Sequence, residues 1–416
     1  MSGIAIGIDI GTSGVRAALV DAGREPVGWG AAPVAADQRR DPMAWWHGVE
    51  QALDALRATA DLAGVRAIAV DGTSGTVVAV DAAGAPLGPA SMYNDAAAPA
   101  LVARVAAAAP LESAAHGATS PLAKLLTMQD TPGIARMLHQ ADWVLGRLCG
   151  RFDVSDENNA LKTGYDPISR SWPAWLDALG ARRALLPRVV EPGAVVAPLT
   201  PGICARFGLP GGVVAVAGTT DGCAAFLATG AAEAGDGVTS LGSTLTIKLL
   251  SDTPVFAPRF GIYSHRLGGR WLPGGASNTG GAALLRHFDA ATIARLSAGI
   301  DPSRDSGLDY YPLPAPGERF PIADAAMPPR ETPRPADDAA FLHGLLEGIG
   351  RIEALAYARL ADLGAPPLRR LRSVGGGAGN AAWTALRARI LGVELAQARS
   401  EDAAVGTAGL ALQALA

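Results

Sequence analysis

Two segments of the chain combine glycines with hydroxyl side chains in a pattern that suits phosphate binding. Each lies between two short apolar runs and is predicted to be a tight turn between two strands. Glycine lets the backbone approach a ligand closely, while exposed N–H and hydroxyl groups can face an anion. Two such turns far apart in the chain predict a nucleotide as the ligand. The predicted phosphate-binding residues are Gly11, Thr12, Ser13, Gly242, Ser243 and Thr244.

Asp9 stands in the strand just before the first of these turns. Mg²⁺ prefers a carboxylate together with phosphate oxygens, and it keeps several of its waters. An aspartate beside a phosphate loop is therefore predicted to hold Mg²⁺ together with the phosphates of the nucleotide. The alternative is an ordinary hairpin turn with a solvated aspartate, and the second hairpin of the same kind favours the functional interpretation.

Asp221 follows a buried apolar strand predicted at residues 213–217 and precedes a helix predicted at residues 223–227. A sugar hydroxyl that attacks a phosphoryl group must give up its proton, and a positioned carboxylate can accept that proton. Asp221 is thus a candidate general base. The alternative is that Asp221 only caps the helix, a common role for aspartate, which this segment favours when it is taken alone.

A second group of polar residues also follows strands. Ser74 lies in a turn rich in small hydroxyl residues, and the pair Asn94 and Asp95 offers the amide and carboxylate groups that bind sugar hydroxyls. A simple turn and a helix-capping pair are the alternatives. A serine-hydrolase elbow is excluded at Ser74, because Thr76 stands where that motif requires glycine.

A glycine-rich segment at residues 375–380 joins a strand to a helix near the end of the chain. Glycines allow the flat approach of an adenine, and a helix N-terminus favours anionic ligands. The spacing is not that of a Rossmann fingerprint, and no Walker A sequence occurs in the chain. A turn at residues 277–281 predicts a second wall of this nucleotide pocket, with a plain loop as the alternative. The residues predicted to bind the nucleotide here are Gly280, Gly376, Gly377 and Asn380.

The composition restricts the class of protein. The chain has 416 residues, 49% of them hydrophobic and 18% charged, which is typical of a globular protein with two or three domains. A net charge of −4 does not favour a nucleic-acid partner. The three cysteines lack the spacing of a zinc site or a disulfide framework. With neither a basic leader nor a long apolar run, we expect no membrane partner and a cytoplasmic protein, as a monomer or homodimer.

The periodicity predicts alternating strands and helices, as in an α/β protein. Predicted strands span residues 3–10, 15–20, 26–33, 65–71, 76–80, 86–91, 213–217, 237–241, 245–250, 260–267, 269–272 and 371–375. Predicted helices span residues 42–60, 223–227, 282–288, 339–363, 381–391 and 403–415, with others between residues 96 and 210. Asp41 is the expected N-cap of the first helix. A sugar-binding domain is predicted at residues 1–224 plus 402–416, and a nucleotide-binding domain at residues 225–401.

The order of these motifs resembles the FGGY carbohydrate kinase family over nearly the whole chain. The resemblance implies two ribonuclease-H-like domains of the actin and hexokinase type that face each other across a nucleotide cleft. It also implies an ATP-dependent kinase with Mg²⁺ as cofactor, a small sugar as substrate and Asp221 as the base. The residues that carry it are 8–13, 218–222, 241–244, 375–380, Trp383, Leu391, Gly392 and 401–408.

Within this family the loop after the strand at residues 65–71 separates branches. Xylulokinases typically carry Met-His-Gly there, whereas residues 72–76 are closer to the Thr-Ser pattern of ribulokinases. The resemblance therefore predicts phosphorylation of D-ribulose to D-ribulose 5-phosphate. D-xylulose or a polyol is the alternative substrate, and a non-catalytic nucleotide-dependent binding protein is the alternative class.

The chain departs from the family pattern in two places. Gly379 and Ala385 stand where the family often has lysine and glutamine, which predicts looser contacts with the nucleotide. Residues 96–98 are alanines, although an arginine often follows the Asn-Asp pair in the family. Either the substrate differs from that of family members with the arginine, or another residue does the work of that arginine.

Overall fold

The computed structural model describes residues 3–415, and the chain divides into two compact units. The first unit contains the residues up to 228, residues 265–268 and the residues from 402 onward. The second contains residues 229–264 and 269–401. The last helix thus belongs to the first unit, although the chain reaches it after passing through the second.

The first unit is built on a mixed sheet with the strand order β3-β2-β1-β4-β10-β9. Its strands are β1 (Ile4–Ile10), β2 (Gly14–Val20), β3 (Pro26–Pro33), β4 (Val65–Gly72), β5 (Val77–Val80), β6 (Arg136–His139), β7 (Val154–Asp156), β8 (Arg188–Val190), β9 (Val195–Pro198) and β10 (Val214–Thr220). Its helices are α1 (Pro42–Thr59), α2 (Pro99–Ala108), α3 (Pro121–Met128), α4 (Gln140–Cys149), α5 (Glu157–Leu161), α6 (Trp175–Ala178), α7 (Pro201–Phe207) and α8 (Asp221–Ala228). The Asp41 carboxylate accepts a hydrogen bond from the Met43 N–H at 2.8 Å, which confirms the predicted cap of α1.

The second unit contains strands β11 (Asp236–Leu241), β12 (Leu245–Leu249), β14 (Arg270–Ser277), β15 (Arg370–Val374) and β16 (Glu394–Ala396). Strand β13 (Ser264–Leu267) lies largely in the segment that clusters with the first unit. The helices are α9 (Gly281–Leu285), α10 (Ala290–Ser297), α11 (Asp338–Asp362) and α12 (Ala381–Leu391), and α13 (Ala403–Gln413) returns to the first unit.

Both sheets follow one plan. In the first, an antiparallel meander β1-β2-β3 is extended on the other side of β1 by the parallel strands β4 and β10. In the second, the meander β11-β12-β14 is extended in the same way by β15 and β16. This repeat confirms the predicted fold class of two ribonuclease-H-like α/β domains.

The hairpin predicted at residues 76–80 and 86–91 is wrong in its second strand. Residues 86–91 contact β5 through two isolated bridges, Val80 to Pro86 and Val77 to Ser91. The strand that pairs continuously with β5 is β6, which lies far along the sequence. Proline has no N–H to donate to a ladder, so Pro86 and Pro89 prevent a regular strand at this edge.

The strand predicted at residues 260–267 is shorter in the structure and begins at Ser264. Residues 258–260 form a single 3₁₀ turn, and Gly261 follows it with a φ of 63°. This left-handed conformation ends the turn and interrupts an extended path. Within residues 3–415, no helix is both long and apolar enough to cross a membrane.

Candidate active site

Three carboxylates gather at the carboxyl end of the first sheet. Asp9 is near the end of β1, and its neighbour across the parallel ladder is Asp71 on β4. Asp71 is in turn paired with Thr219 on β10, two residues before Asp221 at the start of α8. Asp9 is 4% exposed and Asp71 is fully buried. The carboxyl ends of three neighbouring parallel strands thus supply the acids, as is usual for sites in open α/β sheets.

Burial and mutual repulsion set the charges of this cluster. Burial raises the pKa of Asp71 well above its usual range, and the charge of Asp9 raises it further, while the Thr407 hydroxyl donates a hydrogen bond that opposes the shift. Burial also raises the pKa of Asp9, but the Arg16 guanidinium donates to its Oδ2 at 2.9 Å and opposes that shift. The upward shift is larger for Asp71, so of the two carboxyls Asp71 is the one that holds a proton more readily.

The cluster suits Mg²⁺ only in company with other ligands. No group of three or more His, Cys, Asp or Glu side chains within residues 3–415 could hold a metal ion. Asp9 can offer a metal ion one carboxylate oxygen, Oδ1, because its Oδ2 already accepts a hydrogen bond from Arg16. A hard cation that takes one protein carboxylate, phosphate oxygens and water matches this donor set. Mg²⁺ bound with a nucleotide fits, and a dedicated all-protein metal site does not.

The loop after β4 is held by buried hydroxyls. The Thr73 and Thr76 hydroxyls lie 2.6 Å apart, and Gln140 Oε1 accepts hydrogen bonds from the Thr73 N–H at 3.0 Å and the Thr73 hydroxyl at 2.8 Å. Thr76 Oγ1 also accepts the Tyr93 N–H at 3.0 Å. Ser74 is the half-buried hydroxyl residue between them. Since the threonines are occupied within the protein, Ser74 is the hydroxyl of this loop that can serve a ligand.

Lys124 joins the two loops that carry the predicted sugar ligands. Its buried ammonium group donates to the Gly75 carbonyl at 3.1 Å and to the Met92 carbonyl at 2.6 Å. Burial lowers the pKa of Lys124 to about 8, with the carboxylate of Asp95 opposing that shift. The ammonium thus fixes the spacing between the turns that contain Ser74 and Asn94.

Asp95 has a structural partner that the sequence did not reveal. Arg40 donates to both of its carboxylate oxygens, at 2.5 and 2.6 Å, and these hydrogen bonds hold the pKa of Asp95 below its usual range. Asp95 Oδ2 also accepts the Met92 N–H at 2.8 Å. Asn94 is exposed beside this turn. Arg40 therefore supplies a guanidinium next to Asn94 and Asp95, where residues 96–98 provide none.

In the second unit the predicted phosphate hairpin packs directly against the start of α9. The carbonyl of Gly242 accepts the Gly281 N–H at 2.9 Å, and that of Ser243 accepts the Ala282 N–H at 3.0 Å. Gly280 has a φ of 135°, and a Cβ there would lie 2.8 Å from the Ser243 carbonyl oxygen. Ser243 and Thr244 are exposed at the tip of the turn. The structure thus brings Gly280 to the hairpin and leaves the hydroxyl groups free to meet phosphate.

A cavity of about 630 Å³ lies beside this hairpin, between α9, α10 and the start of α12. Gly376, Gly377 and Asn380 line it, as does Gly379. The Asn380 amide is occupied within the protein, since its Oδ1 accepts the Trp383 N–H at 3.0 Å and its Nδ2 donates to the Ser297 hydroxyl at 2.8 Å. The cavity is apolar for most of its surface, lined by Leu284, Leu285, Ile293, Ala294 and Ala298 among others. A mostly apolar cavity with a few polar groups is suited to a nucleotide base.

Sequence reasoning missed four residues of these sites: Asp71, Arg40, Lys124 and Gln140. Asp71 carried a usable signal, because it occupies the same place at the end of β4 as Asp9 does at the end of β1. The other three come from segments remote in sequence. Their contacts depend on tertiary packing, and no local pattern marks them.

The two units also match known family models. The N-terminal domain model of the FGGY family of carbohydrate kinases matches residues 4–228, and its C-terminal domain model matches residues 233–415. The chain belongs to the FGGY family of carbohydrate kinases. It is accordingly an ATP-dependent carbohydrate kinase, as its paired phosphate hairpins indicated.

Relatives within the family share about a quarter of their residues with this kinase. The xylulose kinase of Escherichia coli K12 is 27% identical over 447 residues, an alignment that covers 98% of this chain and 89% of the relative. The solved xylulose kinase of Rhodospirillum rubrum is 27% identical with a TM-score of 0.83, covering 98% of this chain and 88% of that structure. These similarities support the xylulokinase-like branch of the family.

The same fold carries other activities. The solved gluconate kinase of Lactobacillus acidophilus has a TM-score of 0.84 and 19% identity, and the match covers 100% of this chain and 90% of that structure. At that identity the likeness concerns the fold alone. The substrate of this kinase must therefore be argued from its own side chains.

Proposed function

We propose that this kinase transfers the γ-phosphoryl group of ATP to a ketopentose, with D-ribulose as the preferred substrate and D-ribulose 5-phosphate as the product. The observation that carries the proposal is the cluster of Asp9, Asp71 and Asp221 beside a loop whose available hydroxyl belongs to Ser74. Carboxylates and a hydroxyl at one sheet edge offer several acceptors for the hydroxyls of a small sugar.

In the proposed mechanism Asp221 accepts the proton of the attacking sugar hydroxyl. Its position at the first residue of α8 keeps it half-exposed, and its Oδ1 accepts the Gly222 N–H at 2.7 Å, which restrains the carboxylate. Asp9, Ser74, Asn94 and Asp95 bind the sugar hydroxyls. Phosphoryl transfer needs mainly positioning and charge stabilisation, so a base held in place is the principal chemical group that the first unit must supply.

The nucleotide base is assigned to the second unit, beside Gly376, Gly377 and Asn380, and Gly280 with the hairpin of that unit is proposed to bind phosphate. In the first unit, the hairpin that follows β1 is a further proposed phosphate-binding element. Magnesium, held by Asp9 together with phosphate oxygens and water, would neutralise phosphate charge. The proposed phosphate ligands are Gly11, Thr12, Ser13, Gly242, Ser243 and Thr244.

D-ribulose is preferred because of the loop at residues 72–76. The Thr73 hydroxyl is hydrogen-bonded to Gln140, and the Thr73 and Thr76 hydroxyls are hydrogen-bonded to each other. The loop therefore presents the small Ser74 hydroxyl, whereas the methionine and histidine typical of xylulokinases are larger side chains. D-xylulose is the second candidate, and the observation in its favour is the set of relatives named xylulose kinase. The two ketopentoses are epimers, so a few contacts around Ser74 and Asn94 decide between them.

A coupled ADP-release assay with Mg-ATP tests the proposal across ketopentoses, aldoses and polyols. We expect the highest kcat/KM with D-ribulose. A higher value with D-xylulose would move the assignment to the second candidate. No sugar-dependent ADP release from any ketopentose would overturn the proposed substrate class.

A further inference from the structure

The segment between residues 300 and 338 has no regular helix or strand, yet it contains a buried glutamate with an unusual number of partners. Glu318 is 3% exposed. Its Oε1 accepts the N–H groups of Asn278 at 2.8 Å and Arg319 at 2.9 Å, and its Oε2 accepts the hydroxyls of Ser277 at 2.5 Å and Tyr311 at 3.0 Å. A carboxylate is acceptor-only and can serve four donors, so this environment is matched to an ionised glutamate.

Two further hydrogen bonds join the same parts of the chain. Asn278 Nδ2 donates to the Gly317 carbonyl at 2.9 Å, and the Thr279 hydroxyl donates to the Pro312 carbonyl at 2.6 Å. Every residue of the turn 277–279 is therefore held by the segment at residues 311–318. These contacts give that otherwise irregular segment a definite role in the packing of the second unit.

The turn at residues 277–281 is itself hydrogen-bonded to the hairpin at residues 241–245. The Thr279 carbonyl accepts the Leu245 N–H at 2.7 Å. The N–H groups of Gly281 and Ala282 donate to the Gly242 and Ser243 carbonyls. The turn also packs closely against the hairpin, because a Cβ at Gly280 would lie 2.8 Å from the Ser243 carbonyl oxygen. A continuous set of hydrogen bonds thus runs from Glu318 through the turn to the tip of the hairpin.

We propose that Glu318 is a positioning residue for nucleotide binding, which holds the turn 277–281 and through it the hairpin at residues 241–245. The inference rests on the proposed role of Gly242, Ser243, Thr244 and Gly280 as ATP ligands. Glu318 does not contact the nucleotide in this scheme. It fixes the spacing of backbone groups that do, and preorganised donors bind phosphate more tightly than mobile ones.

The test compares Glu318→Gln with Asp309→Asn. Glutamine keeps the size of the side chain but offers one oxygen in place of two, so it cannot accept from all four donors. Asp309 lies in the same segment, but its side chain is 80% exposed and pairs with Arg330 at the surface. Binding of the magnesium complex of the non-hydrolysable analogue AMP-PNP is measured by titration calorimetry without sugar, alongside KM for ATP and for the sugar.

We expect Glu318→Gln to raise the Kd for AMP-PNP and the KM for ATP about tenfold, the scale of a lost hydrogen bond to a charged group, while the KM for the sugar stays within about twofold. Asp309→Asn should leave all three values as in the wild type. An unchanged Kd in Glu318→Gln, or an equal rise of both KM values, would overturn the inference.

Two milder variants keep the test decisive if Glu318→Gln does not fold. Ser277→Ala and Tyr311→Phe each remove one hydroxyl donor to the same carboxylate. Each should raise the Kd for AMP-PNP by a smaller factor, about two- to fivefold. An unchanged Kd in either variant is by itself enough to overturn the inference. Wild-type protein that fails to bind AMP-PNP overturns the proposed nucleotide site together with this inference, so the two failures are distinguishable.

Discussion

Asp221 combines the two properties that a general base needs, access to a ligand and a fixed orientation. It is half-exposed, and its Oδ1 is held by the Gly222 N–H at 2.7 Å. Asp71, by contrast, is fully buried, and burial raises its pKa well above the usual range. Among the three carboxylates, Asp221 is the most accessible, which is why we propose it as the base.

Replacing Asp221 by asparagine should lower kcat by about 10²–10⁴, because an amide of the same shape cannot accept the proton. The Kd for AMP-PNP should stay as in the wild type. Steady-state ADP release and titration calorimetry measure the two effects. The control is Asp54→Asn, a half-buried aspartate of α1 that pairs with Arg206. A wild-type kcat in Asp221→Asn would show that Asp221 is not the base.

Residue-level prediction from the sequence succeeded where function leaves a local signature. Glycines and hydroxyls in a turn, or an aspartate at a strand end, are visible without the fold, which is how Asp9 and Asp221 were selected. The role of Arg40 could not be predicted from the sequence, because it lies 55 positions before Asp95, to which it donates hydrogen bonds. The roles of the selected residues as ligands and base stay predictions.

At the scale of elements, the helices with strong end signals were predicted best. The bounds of α12 agree with the prediction because Asn380 caps its start and Gly392, with a φ of 64°, ends it. The hairpin after β5 was wrong for a different reason. The strand that pairs with β5 is β6, which lies far along the chain. A local sequence pattern does not predict such a pairing, because tertiary packing decides it.

The junction between β6 and α4 makes a pH dependence measurable. His139 is buried there, its Nε2 lies 3.1 Å from the Thr163 hydroxyl, and its Nδ1 has no hydrogen-bond partner among residues 3–415. Burial, together with the charges of Lys124 and Lys162, lowers the pKa of His139 to about 3. The ring therefore stays neutral in the folded protein.

His139 should make the fold less stable as pH falls from about 6.5 to about 3, because the unfolded chain takes up a proton that the folded chain refuses. His139→Gln should reduce this slope by up to about 1.4 kcal/mol per pH unit. Urea denaturation at a series of pH values measures the slope. His47→Gln, at an exposed position of α1, is the matched control, and identical slopes for His139→Gln and the wild type would contradict the neutral buried ring.

At the scale of the whole molecule, the chain completes its first unit with its last helix. Helix α13 lies against β1 and α8, and it approaches both closely enough to require glycine. A Cβ at Gly7 would lie 2.0 Å from the Ala404 carbonyl oxygen, and a Cβ at Gly406 would lie 2.0 Å from that of Ala224. The Thr407 hydroxyl then reaches Asp71, so the end of the chain contributes to the carboxylate cluster.

Alanine substitutions at two glycines of α13, Gly406 and Gly409, distinguish the effect of close packing on stability from the effect of helix propensity. An alanine at either position should favour the helix by about 0.5–1 kcal/mol. An added Cβ at Gly409 meets no atom within 4 Å, whereas one at Gly406 meets backbone of α8 that cannot move aside. Gly409→Ala should therefore stabilise the protein slightly, and Gly406→Ala should destabilise it by about 1–3 kcal/mol. Thermal and urea unfolding of the two variants measure the difference, and equal stability would mean that α13 does not need this close approach to α8.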